Sequence, residues 1–194
     1  MATRDTREAL LRAGVELFLE GGYDFVGTNA ILERARAPRG SFYHFFEDKQ
    51  AFALAVAEHY YEQHLPMLDR FLRDERKPPL RRLRGYFEAL AKEYAKQDFQ
   101  GGCLLGMFGQ ELADRSAEAR QALDRLFTRW RGHLASCLRE ARDRGDLPRT
   151  ADCEELAGFL LDGWEGALMQ MKLQRSGRPL ASFVTISFET LLVP

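Results

Sequence analysis

The chain has 194 residues, 45% of them hydrophobic and 29% charged, with a net charge of −1 and a pI near 6.4. That length supports one or two domains with a sizeable core, and the near-neutral charge excludes a protein that coats nucleic acid by field alone, while leaving room for a local basic footprint. Three cysteines, odd in number and without a C-x-x-C pair, suit a reducing compartment and neither a disulfide framework nor a zinc site. No run is long and apolar enough to span a bilayer and no cationic, apolar leader follows Met1, so the expected location is the cytoplasm, with no membrane partner. There is no internal repeat, strand alternation, Gly-rich phosphate loop or nucleophile elbow. An all-α fold is expected, with no catalytic residue, cofactor or metal assigned.

Residues 1–4 are expected to be mobile. Asp5 with Glu8 makes a capping-box-like start to a first helix, whose apolar positions Leu10, Ala13, Gly14, Leu17 and Phe18 recur at helical spacing until Gly21 and Gly22. Arg4 and Arg7 lie near its start, within reach of a phosphate backbone or simply on a solvated face.

Residues 27–52 read as two short helices joined by a tight turn and followed by the start of a third, the layout of a helix-turn-helix. Thr28 is placed to cap the first, with Ala30, Ile31 and Ala35 as its inward stripe. The second is expected to start at Pro38, whose fixed φ suits a first helical position. Phe42, Phe45 and Phe46 share one side by their i, i+3, i+4 spacing and must face the core. The opposite side is centred on Gly40 and His44, flanked by Tyr43 and Ser41, with Arg39 at the edge. A glycine ringed by hydroxyl, imidazole and guanidinium groups admits close approach to a DNA groove and still offers hydrogen bonds. Asp48 is a plausible cap for the next helix, and Lys49 stands in its first turn, where the macrodipole disfavours a cation unless a phosphate is bound there.

The run Thr28, Ile31, Ala35, Gly40, Phe42, Tyr43, Phe45 or Phe46, and Lys49 resembles the DNA-binding signature of the TetR family of bacterial transcriptional regulators. The resemblance is close over roughly the first quarter and continues as helical layout. It implies an N-terminal three-helix DNA-binding domain, residues 1–49, and a C-terminal helical ligand-binding and dimerisation domain, residues 50–194. It also implies contacts to double-stranded operator DNA by Thr28, Arg39, Gly40, Ser41, Tyr43, His44 and Lys49. One departure is Arg36, where the family usually has glycine in the turn. A non-glycine residue at positive φ is uncommon, so either the turn is built differently or Arg36 is kept as an extra phosphate contact.

A helical pattern then continues through Phe52, Val56 and Tyr60 to about His64, where Pro66 is expected to interrupt it. His59 and His64, five apart, do not share a face and do not suggest a metal pair. After a break at residues 73–79 a helix over 80–97 buries Leu83, Tyr86, Phe87, Leu90 and Tyr94.

The segment GGCLLGMFGQELAD, residues 101–114, puts Cys103 at or near a helix N-terminus, a location that lowers a thiol pKa and raises its reactivity. Gly106 and Gly109 on that helix leave a groove for a backbone or a small ligand. The other reading of Cys103 is a small buried apolar residue. The GGCLLG run is similar to a TetR branch of repressors of electrophile and aldehyde detoxification genes, and of regulators of acrylate metabolism. That resemblance implies a cysteine that reacts with electrophiles and a lysine partner on a later helix, a position that Lys172 fits.

Residues 116–145 read as one long helix with Leu123, Leu126, Phe127, Trp130, Leu134 and Cys137 on its apolar side, closed by Gly145 and Pro148. Phe127 and Trp130 wall a ligand pocket or are plain core. With Cys103, Met107, Trp164 and Lys172 they complete the candidate effector set. Two last helices, over 152–174 and 180–192, carry apolar stripes of Leu156, Phe159, Leu160, Gly163 and Ala167, and of Phe183, Ile186, Phe188 and Leu191. Gly158, Gly163 and Gly166 imply a close helix approach, and Cys153 lies in a polar first turn. Two such helices fit an isologous four-helix bundle, the homodimer that the family resemblance implies. The expected function is therefore a repressor that leaves its palindromic operator when a small, electrophilic effector binds or modifies Cys103. The alternatives are a reversible apolar or acyl-thioester inducer, or a small cysteine-dependent detoxifying enzyme drawing on His133.

Overall fold

The computed structural model describes residues 2–192, with side chains from residue 5 onward. Among the described residues there are nine α-helices and no strand. They are α1 (Ala2–Phe25), α2 (Thr28–Arg34), α3 (Ser41–Phe45), α4 (Lys49–Leu72), α5 (Pro79–Lys96), α6 (Leu104–Leu112), α7 (Ala117–Asp143), α8 (Cys153–Gln174) and α9 (Arg178–Ile186), the last running into a π-helical turn, Ser187–Leu191. None is long and apolar enough to cross a membrane. The expectation of a mobile start falls, at Met1, outside the described residues. The helix begins at Ala2 and not at an Asp5 cap; Asp5 sits inside the first turn, where its charge still suits the macrodipole. At the other end Gly22, with φ 76 and ψ 177, breaks the helix before its last residues, close to the predicted stop.

Pro66 does not interrupt α4. The helix runs through it for 24 residues because Tyr61, Leu68 and Leu72 stay buried on either side. Pro66 and Glu62 are both exposed, so the missing hydrogen bond faces solvent.

The chain packs as two compact units, Met1–Gln63 with Cys103–Leu126, and His64–Gly102 with Phe127–Pro194. In the first, Leu10, Phe18, Ile31, Phe42, Phe52, Val56 and Phe108 are buried. α1 and α4 approach so closely that a Cβ on Gly14 would stand 2.6 Å from both Phe52 and Val56. In the second, Tyr86 and Phe87 of α5, Trp130, Leu134 and Leu138 of α7, and Leu160, Trp164 and Met171 of α8 form the core. Arg82 is buried there as well, donating to the Leu72 carbonyl at 2.7 Å and pairing with Glu140. Cys153, read from sequence as part of a polar turn, is buried too: Glu154 and Glu155 face solvent while the intervening geometry turns the thiol inward. Asp152 caps α8, accepting from the Glu154 and Glu155 backbone N–H groups at 3.0 and 3.1 Å.

Candidate nucleic-acid interface and thiol site

α2 starts after Gly27, whose extended backbone serves as the cap without any side-chain bond. Thr28 is thus the first helical residue and not the cap. The inward positions are Ile31 and Leu32; Ala35 is half-buried, and Ala30 is exposed because it lies a full step round from them. The turn that follows is closed by Arg36 N–H donating to the Glu33 carbonyl at 3.0 Å and Ala37 N–H to Leu32 at 2.9 Å. This is a Schellman closure with Arg36 at φ 51, in the conformation that glycine normally supplies. The turn keeps its geometry and carries the strain.

α3 is a single short helix. Pro38 does not begin it: its carbonyl accepts from Ser41 N–H at 2.9 Å and from Ser41 Oγ at 2.7 Å, a tight turn that delays the helix to Ser41. Phe42 and Phe46 are buried against Phe52, ring centroids 5.0 and 4.8 Å away, while Phe45 is half-exposed beside His44. That aromatic plug turns the other face outward. Arg39, Gly40, His44 and Tyr43, the last 68% exposed, all reach solvent, and a Cβ on Gly40 would meet nothing within 4 Å. Ser41 is half-buried, its hydroxyl already committed to Pro38.

Asp48 caps α4 as expected, accepting from Ala51 N–H at 2.7 Å. Lys49 folds back over the Tyr23 ring, Nζ 4.4 Å from its centroid, and donates to the Asp24 carbonyl at 3.4 Å. Burial holds its pKa below the usual lysine value, opposed by the charges of Asp24 and Glu111. Arg7 lies 5.7 Å over the Phe46 ring, which brings it to the edge of the same surface; the side chain of Arg4 is outside the description. Arg34 is taken up by Glu16 and Glu20.

Cys103 occupies the cap position of α6, as its sequence predicts, and is 4% exposed. Gly101, at φ 78, makes the turn that delivers it. Behind it Leu104, Leu105, Phe108 and Leu112 are buried, Met107 is half-buried, and Gly109 has open space around it. Phe108 meets Phe18 of α1 edge-on at 5.1 Å.

The other effector candidates lie in the second unit, so neither unit holds all six. Phe127 stacks on Trp130 at 6.4 Å. Trp130 Nε1 donates to Tyr86 Oη at 2.8 Å, and His64 Nε2 stands 2.5 Å from the same oxygen. Burial, aided by His133, pushes His64 down to about 4, so the ring is neutral near pH 7 and hydrogen-bonds the tyrosine hydroxyl as a neutral imidazole. Trp164 is 1% exposed between Phe87 and Phe183, and Lys172 is exposed in the last turn of α8. His133, the histidine an enzyme would need, also belongs to this unit and not to that of Cys103. Among the described residues no group of three His, Cys, Asp or Glu side chains is gathered for a metal ion.

α8 and α9 expose Phe159, Met169, Leu173 and Ile186, with Leu191 just beyond, each more than 40% open. Gly158 and Gly166 have nothing within 4 Å of a Cβ, whereas at Gly163 the Phe183 ring is 3.1 Å away. The predicted close approach is therefore internal at Gly163 alone.

An aromatic-backed short helix that turns tyrosine and histidine outward, preceded by the exposed Arg39 and followed by a capped helix start, has the layout of a helix-turn-helix regulator. The family model described as "Bacterial regulatory proteins, tetR family" matches residues 10–56, and that described as "Tetracyclin repressor-like, C-terminal domain" matches residues 79–186. The chain is 36% identical over 192 residues to the HTH-type transcriptional repressor DhaR of Mycobacterium sp. strain GP1, covering 99% of this chain and 95% of that one. It is 39% identical over 176 residues to the transcriptional regulator AcuR of Cereibacter sphaeroides, covering 91% and 80%. The crystal structure of the reduced form of Escherichia coli NemR superposes with a TM-score of 0.85 at 30% identity, over 93% of this chain and 94% of that one. The chain belongs to the TetR family of bacterial transcriptional regulators.

Proposed function

We propose that this regulator is a homodimeric repressor that leaves a palindromic operator when a small electrophile adds to Cys103. The observation that carries the reading is the place of the thiol: it caps α6, in the same compact unit as the helix-turn-helix, and α6 packs on α1 through Phe108 and Phe18. Relatives named as repressors, and a similar structure described as a reduced form, support it. In this reading residues 1–49 read DNA and 50–194 sense and dimerise. Arg39, Gly40, Ser41, Tyr43 and His44 enter the major groove, while Thr28, Tyr43 and Lys49 hold phosphates. The exposed apolar stripe of α8 and α9, with its two open glycines, pairs with its copy and sets the two readers about one DNA turn, ~34 Å, apart.

The thiolate attacks an activated alkene, its electron pair forming an S–C bond at the β-carbon as the C=C π bond opens, and the α-carbon takes a proton from water. Added atoms at a position 4% exposed overpack it, so the α6 N-terminus must move. An effector need only favour a dimer whose readers no longer match the operator spacing. A second reading keeps the repressor and makes the inducer a reversible apolar ligand or acyl thioester of the Phe127 and Trp130 region, whose rings stack at 6.4 Å, with Cys103 passive. The test is fluorescence anisotropy on an operator duplex with and without N-ethylmaleimide. Wild type should release and Cys103→Ser should hold on; release by both removes the thiol from the function.

A further inference from the structure

α6 reaches the end of α1 through a contact between residues 88 apart in sequence: Tyr23 N–H donates to Glu111 Oε2 at 2.5 Å. The preceding Gly22 is buried, holds φ 76, and leaves room for the carboxylate, since a Cβ there would lie 2.6 Å from Glu111 Oε1. The backbone conformation demands glycine at this position, and its lack of a Cβ lets the carboxylate stay where it is. On the far side the Tyr23 ring supports the Lys49 ammonium, and Lys49 opens α4 directly after the Asp48 cap that ends the reading helix segment. Upstream, Glu111 lies on the helix that Cys103 caps, about two turns along.

We propose that Glu111 is the coupling residue of this regulator: its carboxylate fixes the Gly22–Tyr23 turn to α6, and so ties the position of Lys49 and α3 to the state of the Cys103 end. The proposal rests on the Cys103 reading for its trigger and not for the contact itself. A charge-assisted bond to a backbone N–H is directional and roughly twice as strong as a neutral one, so a shift of α6 either drags the turn or releases it. The neighbouring Arg115–Asp24 pair, exposed on both sides at 2.7 Å, adds little holding power.

The test is amide hydrogen exchange on the full-length protein, with and without a duplex carrying the palindrome that the wild-type protein selects in vitro. Coupling is reciprocal, so operator binding must slow exchange along α6 in wild type, by about tenfold for a typical coupling. In Glu111→Ala, and independently in Gly22→Ala, which pushes the carboxylate away, the slowing falls below about twofold although both variants still bind the duplex. Glu111→Gln keeps an acceptor oxygen and keeps most of the slowing. Undiminished slowing in Glu111→Ala, or none in wild type, overturns the proposal. N-ethylmaleimide treatment of wild type and Cys103→Ser on the same duplex separates the two readings: no release there, with slowing still lost in Glu111→Ala, rejects the trigger and leaves the contact standing.

Discussion

Each of the two compact units is held together by polar contacts within it, and the character of those contacts differs between them. In the second unit they are buried: Trp130 to Tyr86 at 2.8 Å and Arg82 to the Leu72 carbonyl at 2.7 Å. Breaking such a bond strands a buried group and costs about 1–3 kcal/mol. In the first unit, apart from the part-buried Tyr23–Glu111 bond, polar links between elements such as Arg115 to Asp24 at 2.7 Å and Gln50 to Glu118 at 3.3 Å run along the surface, over a core of tilted and edge-on aromatic rings. Solvent-screened contacts of this kind hold their elements together only weakly. A firm aromatic core with few polar links between its helices can change how those helices meet without unfolding, as the proposed switch requires, with the Tyr23–Glu111 bond as the exception that ties them. The second unit, set by buried hydrogen bonds, is built to hold one arrangement.

The buried side of that contrast predicts the larger effect. His64 has its folded pKa depressed from 6.5 to about 4, so its contribution to stability is present above pH 6.5. As pH falls from 6.5 towards 4 the unfolded chain takes up a proton that the folded chain refuses, and roughly 3 kcal/mol is lost. Urea unfolding at pH 7.5 and 4.5 should show this slope in wild type and much less of it in His64→Gln. Equal slopes would mean that the ring is not held neutral by its surroundings. The surface side predicts a smaller effect, visible only on DNA. Tyr43→Phe and Lys49→Ala should leave unfolding nearly unchanged, yet both should weaken operator binding: Lys49→Ala by lowering its salt dependence by about one phosphate contact, Tyr43→Phe by a lost hydrogen bond at an unchanged salt slope. A full salt slope in Lys49→Ala, or wild-type affinity in Tyr43→Phe, would remove that residue from the interface.

The sequence makes the reader legible because its signal is local: Phe42 and Phe46 at i, i+4 dictate which face is buried, and the outward set follows. The same local logic marks Asp48 as a cap and Arg36 as the odd residue of its turn, and both positions behave accordingly. Thr28, Pro38 and Pro66 depart from their residue preferences because backbone geometry or tertiary packing outranks them. Gly27 caps without a side chain, a three-residue turn delays α3, and a well-buried helix carries a proline on its solvent side. What sequence could not announce is what depends on distant residues meeting. Tyr86 reads as a core aromatic until Trp130 and His64 converge on its hydroxyl, and Glu111 as a solvated acid until it meets Tyr23. The burial of Cys153 is hidden in the same way by two acidic neighbours.

The most direct measurement follows modification and release in one sample. The operator complex is titrated with N-ethylmaleimide, intact and peptide mass spectrometry gives the fraction alkylated at each cysteine, and anisotropy gives the fraction of duplex released. Cys103 stands at a helix start, whereas burial pushes the Cys137 thiol up to about 12 and raises that of Cys153. The account predicts that release rises in proportion to alkylation of Cys103 while Cys137 and Cys153 stay unmodified. Complete alkylation of Cys103 with the duplex still bound would contradict it.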